Sequence, residues 1–255
     1  MLNLSLVETG IVKEAYESKL KLPRTMNDGR LFSDQILYCE GAPKPYLRGV
    51  LHLLCSLILP FGAIDFLRAT HGVPIGVLVS IIYLISNLFC YGLSALLHVF
   101  KWSLKFEILI QKLDHCGIAI MSTGTIVPVS LLILPLSQGI LLLTVTVTAC
   151  IIVCRDVFAL KASVIKQIIV ATTVVFFLPW LYYLLTPLEL YCVAFCLLSK
   201  SIAVFVFINK FPDPFPSIFG YHEVFHVFVV IGGGCIYLCN YSIISRACDE
   251  LLSLS

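Results

Sequence analysis

The sequence predicts an all-α membrane protein, built as a seven-transmembrane helix bundle. Hydrophobic residues make up 59% of the 255 residues and charged residues only 13%, against about a quarter charged in soluble domains. The chain also holds seven apolar stretches, each close to the roughly 20 residues that a helix needs to cross the hydrocarbon core of a bilayer. We therefore expect a multi-pass integral membrane protein with one membrane domain.

The seven predicted spans follow one another with short connections. Three prolines, Pro128, Pro135 and Pro179, fall within or near span ends. Membrane helices tolerate such kinks because neighbouring helices satisfy the freed carbonyl groups. The fourth stretch is short and can extend past Arg155. The predicted spans are Val50–Leu67, Val73–Phe100, His115–Leu136, Gly139–Cys154, Ile165–Thr186, Leu188–Ile208 and Ser217–Ile244.

The basic residues predict the orientation of the bundle. Of the 17 lysines and arginines, 14 fall before the first span or in loops on that same side, whereas Arg68 and Arg246 fall on the other side. Because cytoplasmic loops are enriched in Lys and Arg, we expect a cytosolic N-terminus and a C-terminus on the opposite side. The expected organisation is a cytosolic segment at 1–48, the membrane domain at 49–246 and a short tail at 247–255. Lys200, within the sixth span, is expected to extend toward the cytosolic surface.

The charge and the cysteines exclude other classes. A net charge of +2 and the lack of a basic run interleaved with aromatic residues argue against nucleic-acid binding. Most of the 11 cysteines lie in apolar stretches without C-x-x-C spacing, so we interpret them as free buried thiols. The expected partner is the lipid bilayer. The host membrane and the oligomeric state stay open.

Five of the six histidines are predicted to share one depth in the membrane. Each lies near the cytosolic end of its span, although the spans are far apart in sequence, and only His71 falls on the far side. Such convergence predicts a binding or catalytic site. The five residues are His52, His98, His115, His222 and His226.

Helical spacing narrows this group to a candidate metal site. His222 and His226 are four residues apart, so both rings project from one face of the seventh helix, and Ser94 and His98 have the same spacing on the second. Neutral imidazole suits zinc, and a catalytic zinc site uses three protein ligands and keeps one position open. We expect His98, His222 and His226 to bind Zn²⁺.

Two further residues are candidates for catalysis. Asp114, which we expect at the start of the third helix, can hold a water molecule or accept its proton, and Ser94 can orient its neighbours. Simpler roles stay open. Asp114 can cap the third helix, Ser94 can be a small packing residue, and His52 and His115 can be polar residues at the headgroup level.

The segment His222-Glu223-Val224-Phe225-His226 also fits H-E-x-x-H, the zinc-protease pattern in which the glutamate is the general base. Those enzymes need a third ligand, and the acids downstream, Asp249 and Glu250, are expected on the wrong side of the membrane. Glu223 points about 100° away from His222 around the helix. We therefore expect Glu223 to face the lipid headgroups.

At these residues the sequence resembles the hemolysin III family and, more distantly, the progestin and adiponectin receptors, in a superfamily that includes alkaline ceramidases. The resemblance covers about Lys44 to Ile244. It rests on Ser94-Ala95-Leu96-Leu97-His98 for S-x-x-x-H, on Lys112-Leu113-Asp114-His115, on Gly124-Thr125 with Pro128, and on Gly220-Tyr221-His222-Glu223-Val224-Phe225-His226 for H-x-x-x-H.

The resemblance implies that three histidines, matching His98, His222 and His226, coordinate zinc, that the aspartate matching Asp114 acts through a bound water, and that the N-terminus is cytosolic. One departure stands out. Many relatives carry E-x-x-N before the first span, where this chain reads Pro45-Tyr46-Leu47-Arg48-Gly49, followed by His52. This departure favours the hemolysin III branch over the receptors.

Three functions follow as hypotheses. The first is a zinc-dependent hydrolase of a lipid amide or ester, with ceramide as the first candidate by superfamily analogy. The second is a pore-forming or cytolytic protein in which the zinc is structural. The third is a seven-helix receptor, although the short outer loops offer no visible ligand site.

Overall fold

The computed structural model describes residues 45–159 and 164–254, which form helices and no β-sheet. Seven helical runs in this part of the chain are long and apolar enough to cross a membrane, which confirms the predicted bundle. The predicted cytosolic segment lies outside the described residues except for 45–48. The helices are α1 (Val50–Ala69), α2 (Pro74–Val99), α3 (Leu104–Pro128, continued by a π-helical turn at Val129–Ile133), α4 (Leu136–Phe158), α5 (Val164–Thr172 and Leu178–Leu184, joined by a 3₁₀ turn at Thr173–Phe177), α6 (Pro187–Asn209) and α7 (Tyr221–Ser253).

Helix α4 extends past Arg155 to Phe158, as the sequence allowed, and three other helices differ from the predicted spans. Helix α3 begins at Leu104 rather than His115, because its first turns are too polar to register as an apolar span although they still form helix. Helix α7 continues to Ser253 rather than ending at Ile244. Helix α5 is interrupted by its 3₁₀ turn, just before the proline at Pro179, which has no backbone N–H to donate.

Helix α7 holds the bundle together. It packs along α6 for most of its length and also contacts α1, α3 and α2, while α2 packs along α3. Gly124 permits the approach of α3 to α2, since a Cβ atom there would lie 1.9 Å from Oγ of Ser86. The histidine end of the bundle is the end at which α1 and α7 begin and at which α2 terminates. The other end is called the opposite end.

The two largest clusters of buried apolar residues lie toward the opposite end. One is built around Leu142, Leu181 and Ile243, the other around Phe66, Tyr83 and Ile244. The histidine end has smaller clusters, among them Cys90, Tyr91 and Met121. The bundle is therefore packed most extensively away from the predicted site.

Candidate metal centre

The structure brings His98, His222 and His226 together at the histidine end. One nitrogen from each ring lies within 4.8 Å of the other two. The ring centroids of His222 and His226 are 4.6 Å apart, and His98 lies 5.0 Å and 5.5 Å from those two rings. His98 and His226 are buried, and His222 is partly buried. This cluster can hold a metal ion.

The donor set fits a tetrahedral metal. Zinc–nitrogen bonds of about 2.0–2.1 Å place the donor atoms about 3.3 Å apart in a tetrahedral site. The three nitrogens lie within 4.8 Å of one another, so each pair would have to approach by at most about 1.5 Å to reach that spacing. In the part of the chain that the structure describes, this is the one group of three His, Cys, Asp or Glu donors with such proximity.

Local structure explains how the three rings meet. Helix α7 begins at Tyr221, so His222 and His226 occupy its first two turns and project from one face. His98 lies in the last turn of α2. Gly49, at φ 79°, precedes α1 and packs against His98, where a Cβ atom would lie 2.5 Å from the Cβ of the histidine. Glycine is required there both for its backbone conformation and for space.

A cavity of about 250 Å³ adjoins the histidines and contains the other predicted site residues. Ser94 and Asp114 both line it, and the Ser94 side chain is close enough to interact with the Asp114 carboxylate. Asp114 is not a helix cap, because α3 begins ten residues earlier at Leu104. Its side chain instead lines the cavity that the three histidines also line. His115 also lines this cavity.

The family model described as haemolysin-III related matches residues 41–237. The chain belongs to this family. The matched region contains Ser94, Asp114 and all three clustered histidines, and the match confirms the predicted resemblance. Together with the seven apolar helices, it identifies a multi-pass integral membrane protein.

His52 of this haemolysin-III-related protein is a buried part of the site rather than a headgroup-level residue. It is 4% exposed, and its ring stacks on His226 with centroids 3.9 Å apart and an interplanar angle of 15°. Its edge contacts Tyr91 at 5.1 Å. Neither ring nitrogen has a hydrogen-bond partner among residues 45–159 and 164–254. The sequence signal was its depth, shared with the other four histidines.

Glu223 is buried, contrary to the expectation that it faces lipid headgroups. It is 2% exposed and forms an ion pair with Arg48, whose side chain is also buried. Its second carboxylate oxygen accepts a hydrogen bond from the Gly220 N–H at 2.7 Å. The expectation was wrong because the segment before α1 pairs with the loop that leads into α7 and brings Arg48 to Glu223. The Tyr46 and Leu47 N–H groups donate to the carbonyls of Ser217 and Ile218 in that loop, each at 3.1 Å.

Arg48 is therefore a residue that sequence reasoning missed. It occupies the segment that departs from the E-x-x-N pattern of many relatives, and this departure was the available signal. The Arg48–Glu223 pair fixes the entry to α1 against the first turn of α7. Both carboxylate oxygens of Glu223 are therefore engaged, one by Arg48 and the other by the Gly220 N–H at the start of α7.

Proposed function

We propose that this protein is a zinc-dependent hydrolase that cleaves an amide or ester bond of a membrane lipid. The observation that carries the proposal is the convergence of three histidines, Asp114 and Ser94 on one cavity within a membrane bundle. The remaining lining is mostly apolar, with residues such as Ile118, Phe207 and Val229. A cavity of this kind suits a ligand with a hydrocarbon chain and one polar group.

His98, His222 and His226 would hold the zinc ion as neutral imidazoles, through the nitrogens that already cluster. Zinc bound there would polarise the carbonyl of the substrate and make water more acidic near neutral pH. His52, stacked on His226, restricts the orientation of that ring. The choice of zinc follows the donor type, since three imidazoles and an open position are typical of catalytic zinc sites.

Asp114 would act as the general base. A carboxylate oxygen accepts a proton from the attacking water, whose oxygen bonds to the carbonyl carbon as the carbon–nitrogen or carbon–oxygen bond breaks. Asp114 then returns the proton to the departing amine or alcohol. Ser94, whose side chain is close enough to interact with Asp114, would position the carboxylate.

The charge distribution supports a site that faces the cytosolic leaflet. Lys101, Lys112, Arg155 and Lys210 lie near the histidine end of the helices. Arg68 and Arg246 lie toward the opposite end. By the positive-inside rule the histidine end would be cytosolic. A scissile bond close to the lipid headgroups would then reach Asp114 from that side.

A lipid amide is the first substrate to test, with ceramide chosen by superfamily analogy. The purified, zinc-loaded protein would be incubated with labelled ceramides and lipid esters, beside His222→Ala. His71→Ala is the matched control, because His71 is exposed and lies at the opposite end. We expect turnover in the wild type and in His71→Ala and none in His222→Ala. No wild-type turnover above His222→Ala with any of these lipids would overturn the proposal.

Membrane permeabilisation is the second candidate, and the family description of haemolysin-III relatedness is what favours it. In that case the zinc would be structural and would join α2 to α7. Leakage from liposomes that contain the protein separates the two functions. Leakage by wild type and by Asp114→Asn alike, without lipid cleavage, would favour the pore.

A further inference from the structure

Lys200 places a positive charge in the interior of the bundle. It lies in the middle of α6 and lines the histidine cavity together with Ala203 and Phe207. The hydroxyl of its neighbour Ser199 donates to the carbonyl of Phe228 on α7 at 2.7 Å. Helices α6 and α7 are antiparallel, so Lys200 lies close to the level of Phe228, which is deeper in the membrane than His226.

This charge differs from the other cations inside the bundle. Arg48 is paired with Glu223, and Arg246 with Glu189. Among residues 45–159 and 164–254, by contrast, the Lys200 ammonium has no carboxylate within ion-pair distance and makes no hydrogen bond. A charge in the membrane interior is costly, and such residues usually face a water-filled cavity or mark the path of a ligand. The prediction that Lys200 simply extends to the surface does not account for a position on the cavity wall.

A second, deeper cavity begins at Lys200. Its volume is about 50 Å³, and it shares Ser122, Ala171 and Lys200 with the histidine cavity. Its remaining lining is largely aliphatic, including Leu181, Leu185, Val193 and Ile243. From the histidines inward, a ligand would thus meet first the three rings, then a cation and then a narrow apolar space.

We propose that Lys200 binds the carboxylate of a single-chain fatty acid whose hydrocarbon chain enters the deeper cavity. The inference rests on the proposed function, since that acid is the acyl product of lipid amide or ester hydrolysis. The acyl chain of the substrate then points away from the histidine end, and its carbonyl group lies between the histidines and Lys200. The amine or alcohol departs toward the membrane surface. The narrow deeper cavity favours one chain over the paired chains of a phospholipid.

Direct binding tests this without any turnover. Labelled palmitate would be titrated into wild type, Lys200→Met and Lys200→Arg, with and without bound metal. Methionine preserves an unbranched apolar side chain, and arginine restores the charge. We expect Lys200→Met to weaken palmitate binding by about 10-fold or more, since charge-assisted contacts are strong in a site with little water. Lys200→Arg should recover most of the affinity.

Two further probes complete the design: one is uncharged, and the other carries a phosphate in place of a carboxylate. Hexadecanol should bind wild type and Lys200→Met equally, because it has the same chain and no carboxylate. Equal palmitate affinity in wild type and Lys200→Met would overturn the assignment. So would a loss of hexadecanol affinity in Lys200→Met as large as the loss of palmitate affinity. Lysophosphatidate tests for a phosphate headgroup as the anion; binding that depends on Lys200 for lysophosphatidate but not for palmitate would also overturn it.

The two proposals fail separately. Lipid turnover without Lys200-dependent palmitate binding would remove only the role of Lys200. Lys200-dependent palmitate binding without lipid turnover would remove only the hydrolase. Unchanged metal content in Lys200→Met would show that the variant retains its fold and its histidine cluster.

Discussion

Buried polar groups at the two ends of the bundle differ in how fully their hydrogen-bonding capacity is satisfied. At the opposite end, Glu189 is fully buried and its carboxylate is completely engaged. It accepts hydrogen bonds from Arg246 at 2.9 Å and 3.1 Å, from the Ser242 hydroxyl at 2.8 Å and from the Thr186 N–H at 2.8 Å. Arg246 also donates to the carbonyl of Leu184 at 2.9 Å. This network fastens α6 to α7.

At the histidine end, Arg48 and Glu223 are paired, but other polar groups line a cavity. The nitrogens of His52 have no hydrogen-bond partner among the residues that the structure describes. Lys200 and Asp114 line the same cavity without forming an ion pair there. Buried polar groups in proteins are normally satisfied, and those that are not call for an explanation.

Within this membrane protein, the buried polar groups that stabilise the fold can therefore be distinguished from those that are available for function. Satisfied groups surrounded by the large apolar clusters stabilise the bundle, whereas incompletely satisfied groups around a cavity are available to a ligand. Substitutions at the opposite end should therefore change stability and leave the site intact. Substitutions of the polar groups that line the cavity at the histidine end should do the reverse.

The largest effect is expected for Asp114→Asn, if Asp114 is the general base. The amide cannot accept the proton, so lipid turnover should fall by about 10²–10⁴-fold, while metal content stays unchanged because the histidines are untouched. Asp65→Asn is the control, since Asp65 is exposed and lies toward the opposite end. Turnover within a few-fold of wild type would remove Asp114 from the mechanism.

Glu189→Ala should have the largest effect on stability. Removing one partner of a buried ion pair costs about 3–5 kcal/mol, and we expect about 2–3 kcal/mol here because the Arg246 side chain is 34% exposed. Denaturant unfolding in detergent measures the change, with the exposed Glu250→Ala as control. Loss of metal in Glu189→Ala without loss of stability would contradict the division between the two ends.

Glu223→Gln should have a smaller effect on stability, and it should show whether Asp114 or Glu223 is the general base. The side chain keeps its shape and an amide oxygen that can accept a hydrogen bond from Arg48, but the ion pair is lost, so we expect a loss of about 1–2 kcal/mol in the free energy of unfolding. Lipid turnover should be retained, since Glu223 is engaged away from the reacting groups. A fall in turnover as large as that of Asp114→Asn would favour the H-E-x-x-H mechanism instead.

The smallest change is expected for His52→Phe. The aromatic ring can still stack on His226, and two buried nitrogens without hydrogen-bond partners are removed. The free energy of unfolding should change by less than about 1 kcal/mol, and in the favourable direction if the nitrogens bind no ligand. A much larger loss of stability would show that His52 makes a contact essential to the fold.

Much of the fold was predictable because the bilayer imposes its own length on a helix. The places where the prediction failed are those where other forces determine the structure. The early start of α3 lies in polar residues around Lys112, which hydropathy cannot assign to a span. The extension of α7 past Ile244 carries Arg246, whose partner Glu189 lies on a different helix and is invisible to a local pattern.

The candidate site was predictable in part for a similar reason. The spacing of His222 and His226 is a local property of a helix, and the depth of His98 follows from the order of the spans. The Arg48–Glu223 pair and the stacking of His52 on His226 join distant parts of the sequence. Such contacts depend on how α1 and α7 pack, which no spacing rule specifies.

Metal content tests the central claim most directly. Elemental analysis of the purified protein would compare wild type with His98→Ala, His222→Ala and the control His71→Ala. We predict close to one zinc per chain in wild type and in His71→Ala, and almost none in the other two variants. A folded wild-type protein that takes up no metal from added zinc, or variants that keep it, would contradict a metal centre built from α2 and α7.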